Sequence, residues 1–234
     1  MAGRGSRFAE VGYTVPKPLI DVKGRPMYSW AMESLPLHAA KRVVFVCLLD
    51  HLTDLSLEQD IKMRYSKFNP VIIPLNKVTE GQACTVLEAR EYIDNDEPLI
   101  IYNADTYCVS SSDDTYTNLS EDVDGVISVF HAEGDKWSFA RMDETGRVIE
   151  TAEKRRISAW ATTGLYHFTH GRDFVAHAEE MIKANERVNN EFYVIPVYNR
   201  MIADSANIRC DIAQEVWVLG TPEDLAHFEE HYKR

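Results

Sequence analysis

Short apolar runs alternate along this chain with amphipathic stretches of helical length, and this alternation limits the folds that the chain can adopt. The runs that we interpret as strands are Val43–Leu49, Val71–Leu75, Leu99–Tyr102, Val126–Phe130, Trp160–Phe168 and Val216–Leu219. The stretches that we interpret as helices are Pro26–Leu35, Leu57–Phe68, Gly81–Ile93, Asp173–Asn185 and Pro222–Tyr232. Strands that alternate with helices in this way are typical of βα units around a parallel sheet. The sequence therefore predicts an α/β fold with a Rossmann-like, mainly parallel central sheet flanked by helices.

The second half of the chain departs from this regular pattern. Short strands at Phe139–Met142 and Arg147–Glu150 predict a small antiparallel excursion on the parallel core. The segment Ser110–Asp124 combines three consecutive serines with five carboxylates, which predicts a surface loop. Because no linker rich in Pro, Gly or Ser divides the 234 residues, we expect a single domain over residues 1–234.

The charge and the apolar content of the chain limit its partners. It has 25 Lys and Arg against 37 Asp and Glu, a net charge of −12, which argues against a nucleic-acid partner. No apolar run approaches the roughly 18 residues that cross a membrane, and the N-terminal residues are charged. The four cysteines form no Cys-x-x-Cys pair, which favours a reducing compartment. We therefore expect a cytoplasmic protein with no membrane partner, for which a homo-oligomer remains open.

Cations are concentrated in the first 25 residues, which have a net charge of +3 while the remainder has −15. The basic residues there are Arg4, Arg7, Lys17, Lys23 and Arg25. Gly3 and Gly5 allow backbone N–H groups to approach a phosphate closely, and the guanidinium of Arg7 can bind its oxygens. A basic surface turn is the simpler interpretation of Gly-x-Gly alone. The whole segment favours an anion site.

The segments that follow give this interpretation more weight. Pro16 and Pro18 flank Lys17 and fix the backbone φ angles around it, so that its ammonium is presented from a preset position. Gly24-Arg25-Pro26-Met27 comes next. Together with Gly3-Arg-Gly-Ser-Arg7, these segments resemble the signature of the sugar-phosphate nucleotidyltransferases, also called nucleotide-sugar pyrophosphorylases. The resemblance implies the nucleotidyltransferase fold, which is related to the GT-A fold, with a nucleotide-binding half to about residue 125 and an acceptor-binding half from about residue 126.

The resemblance also implies roles for residues in the nucleotide-binding half. The glycine loop, with Ala2, Gly3, Gly5 and Ser6, would hold a nucleoside triphosphate together with Arg7. Lys17 would contact the phosphates at the reacting centre, so that Arg7 and Lys17 are the expected catalytic residues. Thr79-Glu80-Gly81-Gln82-Ala83 resembles the segment that contacts the base, with Gly81 and Gln82 as the contacts and Asn76 as a further one. Asp105, in Asn103-Ala104-Asp105, matches a Mg²⁺ ligand of the family.

The acceptor half matches the family at three further segments. Glu153-Lys154 resembles the pair that binds the hydroxyls and phosphate of the acceptor, and Thr163-Gly164-Leu165-Tyr166 resembles the family's Thr-Gly-Leu-Tyr strand. Thr163 and Gly164 are therefore expected acceptor contacts. Gly220-Thr221-Pro222-Glu223-Asp224-Leu225 is similar to the C-terminal Gly-Thr segment, but Val218 stands where many members have a second metal-binding Asp. Glu215 and Asp211 are the alternatives for that ligand.

The resemblance implies an enzyme that transfers a nucleoside monophosphate from an NTP to a sugar phosphate or related phosphorylated acceptor, with Mg²⁺ as cofactor and release of pyrophosphate. Two alternatives stay open at this point. The family's glycine loop follows a complete first strand, whereas this sequence starts at Met1-Ala2 with almost none of it. This start and Val218 are compatible with a nucleotide-binding regulatory protein that has no turnover. A glycosyltransferase of related fold is disfavoured, because Asn103-Ala104-Asp105 has one carboxylate where such enzymes commonly have an Asp-x-Asp pair.

Overall fold

The computed structural model describes residues 1–3, 5–53 and 57–233. The chain divides into two compact units. Unit 1 comprises Met1–Val78, Asn103–Val109 and Glu215–Arg234, and unit 2 comprises Thr79–Tyr102 and Ser110–Gln214. This division does not test whether the chain folds as one domain, which stays a prediction.

The strands and helices within the described residues are as follows. The strands are β1 (Asp21–Val22), β2 (Arg25–Pro26), β3 (Val43–Leu48), β4 (Pro70–Leu75), β5 (Leu99–Tyr102), β6 (Thr106–Val109), β7 (Gly125–His131), β8 (Ser138–Met142), β9 (Val148–Glu153), β10 (Trp160–Phe168), β11 (Ile208–Ile212) and β12 (Glu215–Val218). The α-helices are α1 (Ser6–Glu10), α2 (Met27–Glu33), α3 (Leu49–Thr53), α4 (Leu57–Tyr65), α5 (Gln82–Leu87), α6 (Arg90–Ile93), α7 (Gly171–Lys183), α8 (Val197–Ala203) and α9 (Pro222–His231). Short 3₁₀ helices span Lys17–Leu19, Leu37–Ala39 and Ser66–Phe68.

Unit 1 contains three two-stranded pairings. β3 and β4 are parallel, β6 and β12 are antiparallel with Thr106 opposite Val218, and β1 and β2 form a short antiparallel pair. An aromatic cluster packs α2 and α9 against β6. The Trp30 ring lies 4.8 Å from Phe228, 5.0 Å from Tyr232 and 5.7 Å from Tyr107, between ring centroids. This buried cluster fixes the end of β6 from which Asp105 projects.

The helix α9 begins at a well-formed cap. Thr221 is its N-cap, and the Thr221 hydroxyl oxygen accepts a hydrogen bond from the backbone N–H of Asp224 at 3.2 Å. Pro222 occupies the first turn, where a missing N–H costs nothing, and Glu223 and Asp224 complement the helix dipole. The cap positions Gly220 directly before the helix.

Unit 2 contains a six-stranded sheet with the order β11-β7-β10-β8-β9, and β5 pairs with the Leu165–Phe168 part of β10. β11 is parallel to β7, and the other pairings in this sheet are antiparallel. The helix α7 covers the sheet with a buried stripe of Phe174, Val175, Ala178 and Met181. Phe168 of β10 stacks on Tyr198 of α8 with ring centroids 4.6 Å apart.

The structure confirms a mixed α/β fold with a central sheet and flanking helices, and each predicted strand is present. The antiparallel share of the described pairings is larger than the predicted small excursion, since only β3 with β4 and β7 with β11 are parallel. The reason is the length of the connections. A parallel crossover needs a dozen or more residues, and the segments 132–137 and 143–147 are shorter than that, so β7, β8 and β9 follow one another without a crossover helix.

Three local expectations need correction or addition. The predicted helix Gly81–Ile93 is two helices, α5 and α6, because the backbone leaves the helical conformation at Ala89. The sequence analysis did not predict the strands β6 and β11. In β11, a buried Asp211 interrupts the apolar pattern that would have indicated a strand.

Among the described residues, no helix has both the length and the apolar character needed to cross a membrane.

Candidate active site

The ammonium of Lys17 lies between two oxygen atoms in unit 1. Lys17 Nζ donates to Asp105 Oδ2 at 2.5 Å and to the backbone carbonyl of Gly220 at 2.9 Å. The exposed fractions of the Lys17 and Asp105 side chains are 18% and 32%, so the ion pair is accessible from solvent without being fully hydrated. The structure therefore brings together two residues that the family resemblance selected, Lys17 as a catalytic residue and Asp105 as a metal ligand.

The pairing of β6 with β12 explains why Asp105 and Gly220 are neighbours. Thr106 lies opposite Val218, and the next position along the ladder is closed by a hydrogen bond from the Leu219 N–H to the Asp105 carbonyl at 2.8 Å. Asp105 thus directly precedes β6, and Gly220 lies two residues after the end of β12, at the same end of this antiparallel pair. Lys17 spans both ends from the 3₁₀ helix that begins at its own position, after the extended Pro16.

The glycine loop lies against Lys17 rather than standing apart from it. Gly5 has a φ of 62°, in the left-handed region, and a Cβ atom at this position would lie 3.0 Å from Lys17 Cβ. The helix α1 begins after Gly5, whose carbonyl accepts the Phe8 N–H at 3.0 Å, and the Phe8 ring lies 5.5 Å from Lys17 Nζ. Gly5 is therefore required for the close approach of Lys17 as well as for backbone conformation.

The other predicted phosphate contacts lie in the same N-terminal segment. Gly3, Ser6 and Arg7 are exposed, and Ala2 is buried. The pKa of Glu223 at the start of α9 is lowered by hydrogen bonds from its own backbone amide and from Thr221, and the charge of Arg7 adds to this effect. Arg7 is thus within electrostatic range of the segment that follows Gly220. Arg4 lies outside the described residues.

Asp105 fits a magnesium ligand on the chemistry of its surroundings. Its carboxylate already binds a cation, the ammonium of Lys17, and it is partly exposed. Mg²⁺ commonly uses one or two protein carboxylates and completes its shell with water and substrate phosphates. No group of three or more His, Cys, Asp or Glu side chains that could hold a metal occurs within residues 1–3, 5–53 and 57–233. Asp105 would therefore act with substrate oxygens rather than within a protein cage.

Both sequence-based alternatives for a second metal ligand are engaged elsewhere. Glu215 lies opposite Val109, at the other end of β12 from Val218, and its Oε1 accepts the indole N–H of Trp217 at 2.6 Å. Asp211 belongs to unit 2 and is buried. Its two carboxylate oxygens accept hydrogen bonds from the Ser111 N–H at 3.0 Å and the Tyr116 hydroxyl at 2.8 Å. Asp211 anchors the loop that follows β6 and is not available as a ligand.

In unit 2, the predicted acceptor pair has two different environments. Burial raises the pKa of Glu153, although the Ser138 hydroxyl donates a hydrogen bond to its carboxylate. Lys154 has a φ of 51°, and its Nζ donates to the Tyr193 hydroxyl at 2.6 Å while lying 4.8 Å from the centre of the Tyr193 ring. Burial acts to lower the pKa of Lys154, but the Tyr193 hydrogen bond and nearby carboxylates outweigh it, and the pKa is raised. Lys154 is therefore a fully charged, oriented cation.

Thr163 and Gly164 form a break in the ladder between β10 and β7. The register shifts between Thr162 and Tyr166, Gly164 has a φ of 87°, and the Leu165 N–H donates to the Thr163 hydroxyl at 3.3 Å. A bulge of this kind bends the strand and redirects its side chains. Contact of Thr163 and Gly164 with an acceptor stays a prediction.

Gly81 has a demonstrable packing role in unit 2. Its φ is 143°, and a Cβ atom there would lie 2.4 Å from the backbone N and O atoms of Phe192. The Phe192 N–H donates to Glu80, and its carbonyl accepts from Ala83, both at 2.9 Å. Gln82 is the first residue of α5. Contacts of Gly81 and Gln82 with a base remain predictions.

Asn76 belongs to unit 1, where it is exposed immediately after the end of β4. Ligands of open α/β sheets bind beyond the carboxyl ends of strands, so this position is compatible with a base contact. That contact also stays a prediction.

The sequence analysis missed three groups at these sites. The Gly220 carbonyl is a backbone atom, so no residue type signals it. Tyr193 is separated from Lys154 by 39 residues, and Ser138 from Glu153 by 15. For Ser138, the pairing of β8 with β9, which aligns Ser138 with Glu153, was the available signal.

Comparison with known proteins shows what the chain is similar to. The model of the nucleotidyl transferase family matches residues 1–234. The chain is 29% identical to the nucleoside-diphosphate-sugar pyrophosphorylase from Vibrio cholerae RC9, whose structure superposes with a TM-score of 0.86 over 99% of this chain and 98% of that one. The inositol-1-phosphate CTP transferase from T. maritima shares the fold, with 14% identity, a TM-score of 0.74 and coverage of 100% of this chain and 95% of that one.

A curated relative extends the comparison at the sequence level. The catalytic subunit beta of mannose-1-phosphate guanylyltransferase from Danio rerio is 25% identical over 176 residues, which are 72% of this chain and 48% of that protein. The chain thus spans about half the length of the curated relatives that it matches. The match of the family model to the whole chain shows that the chain belongs to the nucleotidyl transferase family.

Proposed function

We propose that this protein transfers a nucleoside monophosphate from a nucleoside triphosphate to a phosphorylated sugar and releases pyrophosphate. The observation that supports this function most directly is the position of Lys17 Nζ between the Asp105 carboxylate and the Gly220 carbonyl, beside the glycine loop. A cation next to a carboxylate that can bind a metal is the arrangement that phosphoryl chemistry requires.

The reaction needs little acid–base assistance. A phosphate oxygen of the acceptor forms a bond to the α-phosphorus, and the bond from the α-phosphorus to the bridging oxygen of the β-phosphate breaks, so that pyrophosphate leaves with the electron pair. A phosphomonoester has a second pKa near 6 and is an anionic nucleophile at neutral pH. The absence of a general base from the proposed residues is therefore expected.

The protein must instead lower the repulsion between two anions and stabilise the charge on the leaving pyrophosphate. In our proposal Lys17 and Arg7 bind the triphosphate together with the backbone of Ala2, Gly3, Gly5 and Ser6. Asp105 would hold Mg²⁺, which when bound neutralises phosphate charge and favours departure of the leaving group. Asn76, Gly81 and Gln82 are the proposed base contacts.

The acceptor contacts are proposed in unit 2. Lys154, oriented by Tyr193, is the proposed contact of the acceptor phosphate, and Glu153 is the proposed contact of sugar hydroxyls. A carboxylate held by Ser138 accepts hydroxyl hydrogen bonds well, as long as it is ionised. Thr163 and Gly164 complete the proposed acceptor set. The product would be an activated sugar for nucleotide-sugar and polysaccharide biosynthesis.

The names of the relatives suggest the first substrates to test. GTP with mannose 1-phosphate comes from the Danio rerio relative, and the other NTPs with a panel of hexose 1-phosphates and alcohol phosphates follow from the structural neighbours. Pyrophosphate release with Mg²⁺ is the measurement. Lys17→Ala and Asp105→Asn should each reduce the rate at least about 10²-fold, since removal of one electrostatic contact to a transition state typically costs that much.

A matched control is available in the same unit. Lys62 and Glu58 form an exposed ion pair on α4, so Lys62→Ala and Glu58→Gln change the same charges away from the site and should leave the rate unaltered. Near-normal rates for Lys17→Ala and Asp105→Asn would remove these residues from the mechanism. NTP binding without pyrophosphate release from any acceptor would favour a regulatory protein. Hydrolysis of a nucleotide sugar without pyrophosphate would favour a glycosyltransferase.

A further inference from the structure

The ammonium of Lys17 is bonded to Asp105, the carboxylate that we propose as the metal ligand. Its ammonium lies 2.5 Å from Asp105 Oδ2, and the Gly220 carbonyl and the Phe8 ring hold it from two further sides. Of the Lys17 side chain 18% is exposed, so the ammonium is not free to leave for bulk water without losing these contacts. The cation bonded to Asp105 is thus a side chain of the protein itself.

We infer that Lys17 is a built-in counter-ion that keeps free divalent cations off Asp105 until a phosphate anion takes the ammonium away. The identity of that anion, a nucleoside triphosphate, rests on the proposed function. The protein would then take up its metal as the chelate of the triphosphate rather than as the free ion.

The argument begins with charge. A divalent cation that approaches Asp105 meets the Lys17 ammonium at hydrogen-bond distance from the same carboxylate, and like charges at that range repel strongly near a protein surface. One of the two carboxylate oxygens is also already used by Lys17. Free metal therefore binds weakly for as long as Lys17 stays.

The second step concerns what can move Lys17. Gly5 packs against Lys17 Cβ, so an anion bound by the glycine loop would lie beside the lysine and could accept its ammonium. Transfer of Lys17 to that anion frees Asp105, and occupation of Asp105 by a metal in turn favours the transfer. The two binding events are therefore coupled, and by linkage each strengthens the other.

The test measures Mn²⁺ binding to the nucleotide-free protein by the electron paramagnetic resonance signal of free Mn²⁺. Lys17→Met should bind Mn²⁺ at least about tenfold more tightly than the unaltered protein at low ionic strength, because the competing charge is gone. Lys17→Gln, which is neutral but keeps a polar end, should show the same gain and covers the case in which Lys17→Met does not fold. Lys62→Met makes the same change in net charge at an exposed ion pair and should alter the affinity by less than about twofold.

A double variant shows whether the gain in Mn²⁺ affinity arises at Asp105. Lys17→Met combined with Asp105→Asn should lose the tighter Mn²⁺ binding entirely, since the site itself is removed. Folded Lys17→Met and Lys17→Gln proteins that bind Mn²⁺ no better than the unaltered protein would overturn the inference, as would a gain that survives in the double variant. Pyrophosphate release is measured separately. If the variants show the expected Mn²⁺ shift but the protein releases no pyrophosphate, the proposed nucleotidyl transfer is refuted and the counter-ion role of Lys17 is retained. If the protein releases pyrophosphate and the shift does not occur, only the counter-ion role is refuted.

Discussion

Lys154 and Tyr193 form a cation–aromatic pair in which the ammonium both donates to the hydroxyl at 2.6 Å and faces the ring at 4.8 Å from its centre. Tyr193→Phe keeps the ring and removes the hydroxyl, so the ammonium loses one of its two restraints. We expect the KM for the phosphorylated acceptor to rise by about tenfold, the usual scale for loss of a charge-assisted hydrogen bond, with a smaller change in kcat. Steady-state kinetics with varied acceptor measures this.

Tyr193→Ala is a larger truncation at the same position. It removes both restraints and should raise the acceptor KM further, while the KM for the nucleotide changes little. Equal effects of both variants on the two KM values would indicate a structural role for Tyr193 instead of orientation of Lys154.

Gly5→Ala should impair turnover more than stability. The new Cβ would lie 3.0 Å from Lys17 Cβ, and a displacement of a reacting group by even 1 Å can cost about 10²-fold in rate. Gly12→Ala is the matched control, because Gly12 also has a positive φ, of 95°, but has nothing within 4 Å of an added Cβ. Pyrophosphate release by the two variants should differ by at least about tenfold. Equal rates would separate Gly5 from the placement of Lys17.

His167 should make stability depend on pH below neutrality. Burial lowers the pKa of His167 from 6.5 to about 4. Between these values the unfolded chain binds more protons on this ring than the folded protein does, so the free energy of unfolding falls as the pH falls through that window. The full shift corresponds to about 3 kcal/mol.

The change that tests this effect is His167→Phe, which keeps a ring beside Tyr116 and removes the titrating group. Urea unfolding at several pH values between 4 and 7 should give a flatter profile for this variant. His131→Phe, at an exposed position on β7, is the control and should retain the slope. An unchanged slope in His167→Phe would assign the pH dependence to other groups.

Gly81→Ala should destabilise unit 2 through a collision with backbone. A Cβ atom at this position would lie 2.4 Å from Phe192 N and O, neither of which can move without breaking its hydrogen bond to Glu80 or Ala83. We expect a loss of about 3 kcal/mol in the free energy of unfolding. Gly134 also has a positive φ, of 79°, but an added Cβ there would lie in open space, so Gly134→Ala should cost only about 1 kcal/mol. Denaturant unfolding measures the loss in both variants.

The strands with continuous apolar character, and the residue types of the candidate site, could be predicted from the sequence. Lys17 and Asp105 were both selected because the short segments around them resemble the family signature, and such segments can be read directly from the sequence. β11 was missed because Asp211 lies buried within it, satisfied by Tyr116, and an interior carboxylate has no signature in hydropathy. The same residue was offered as a metal ligand for the same reason, since only the structure shows that its oxygens are already bonded.

Contacts between distant segments were the part that the sequence could not supply. The carbonyl of Gly220 and the hydroxyl of Tyr193 become parts of the sites only because strand pairing and helix packing bring them there. At Gly81 the structure adds a requirement that the sequence did not show, since packing on the Phe192 backbone by itself needs a glycine there.

The bond from Lys17 to Gly220 joins positions 203 residues apart in the chain. During synthesis Lys17 leaves the ribosome early, and the Gly220 carbonyl follows only after β12 has been translated. The contact between Lys17 and the Gly220 carbonyl therefore cannot form until both residues have been synthesised. Closing so long a loop is entropically costly, which makes the formation of this bond a late and sensitive reporter of native structure.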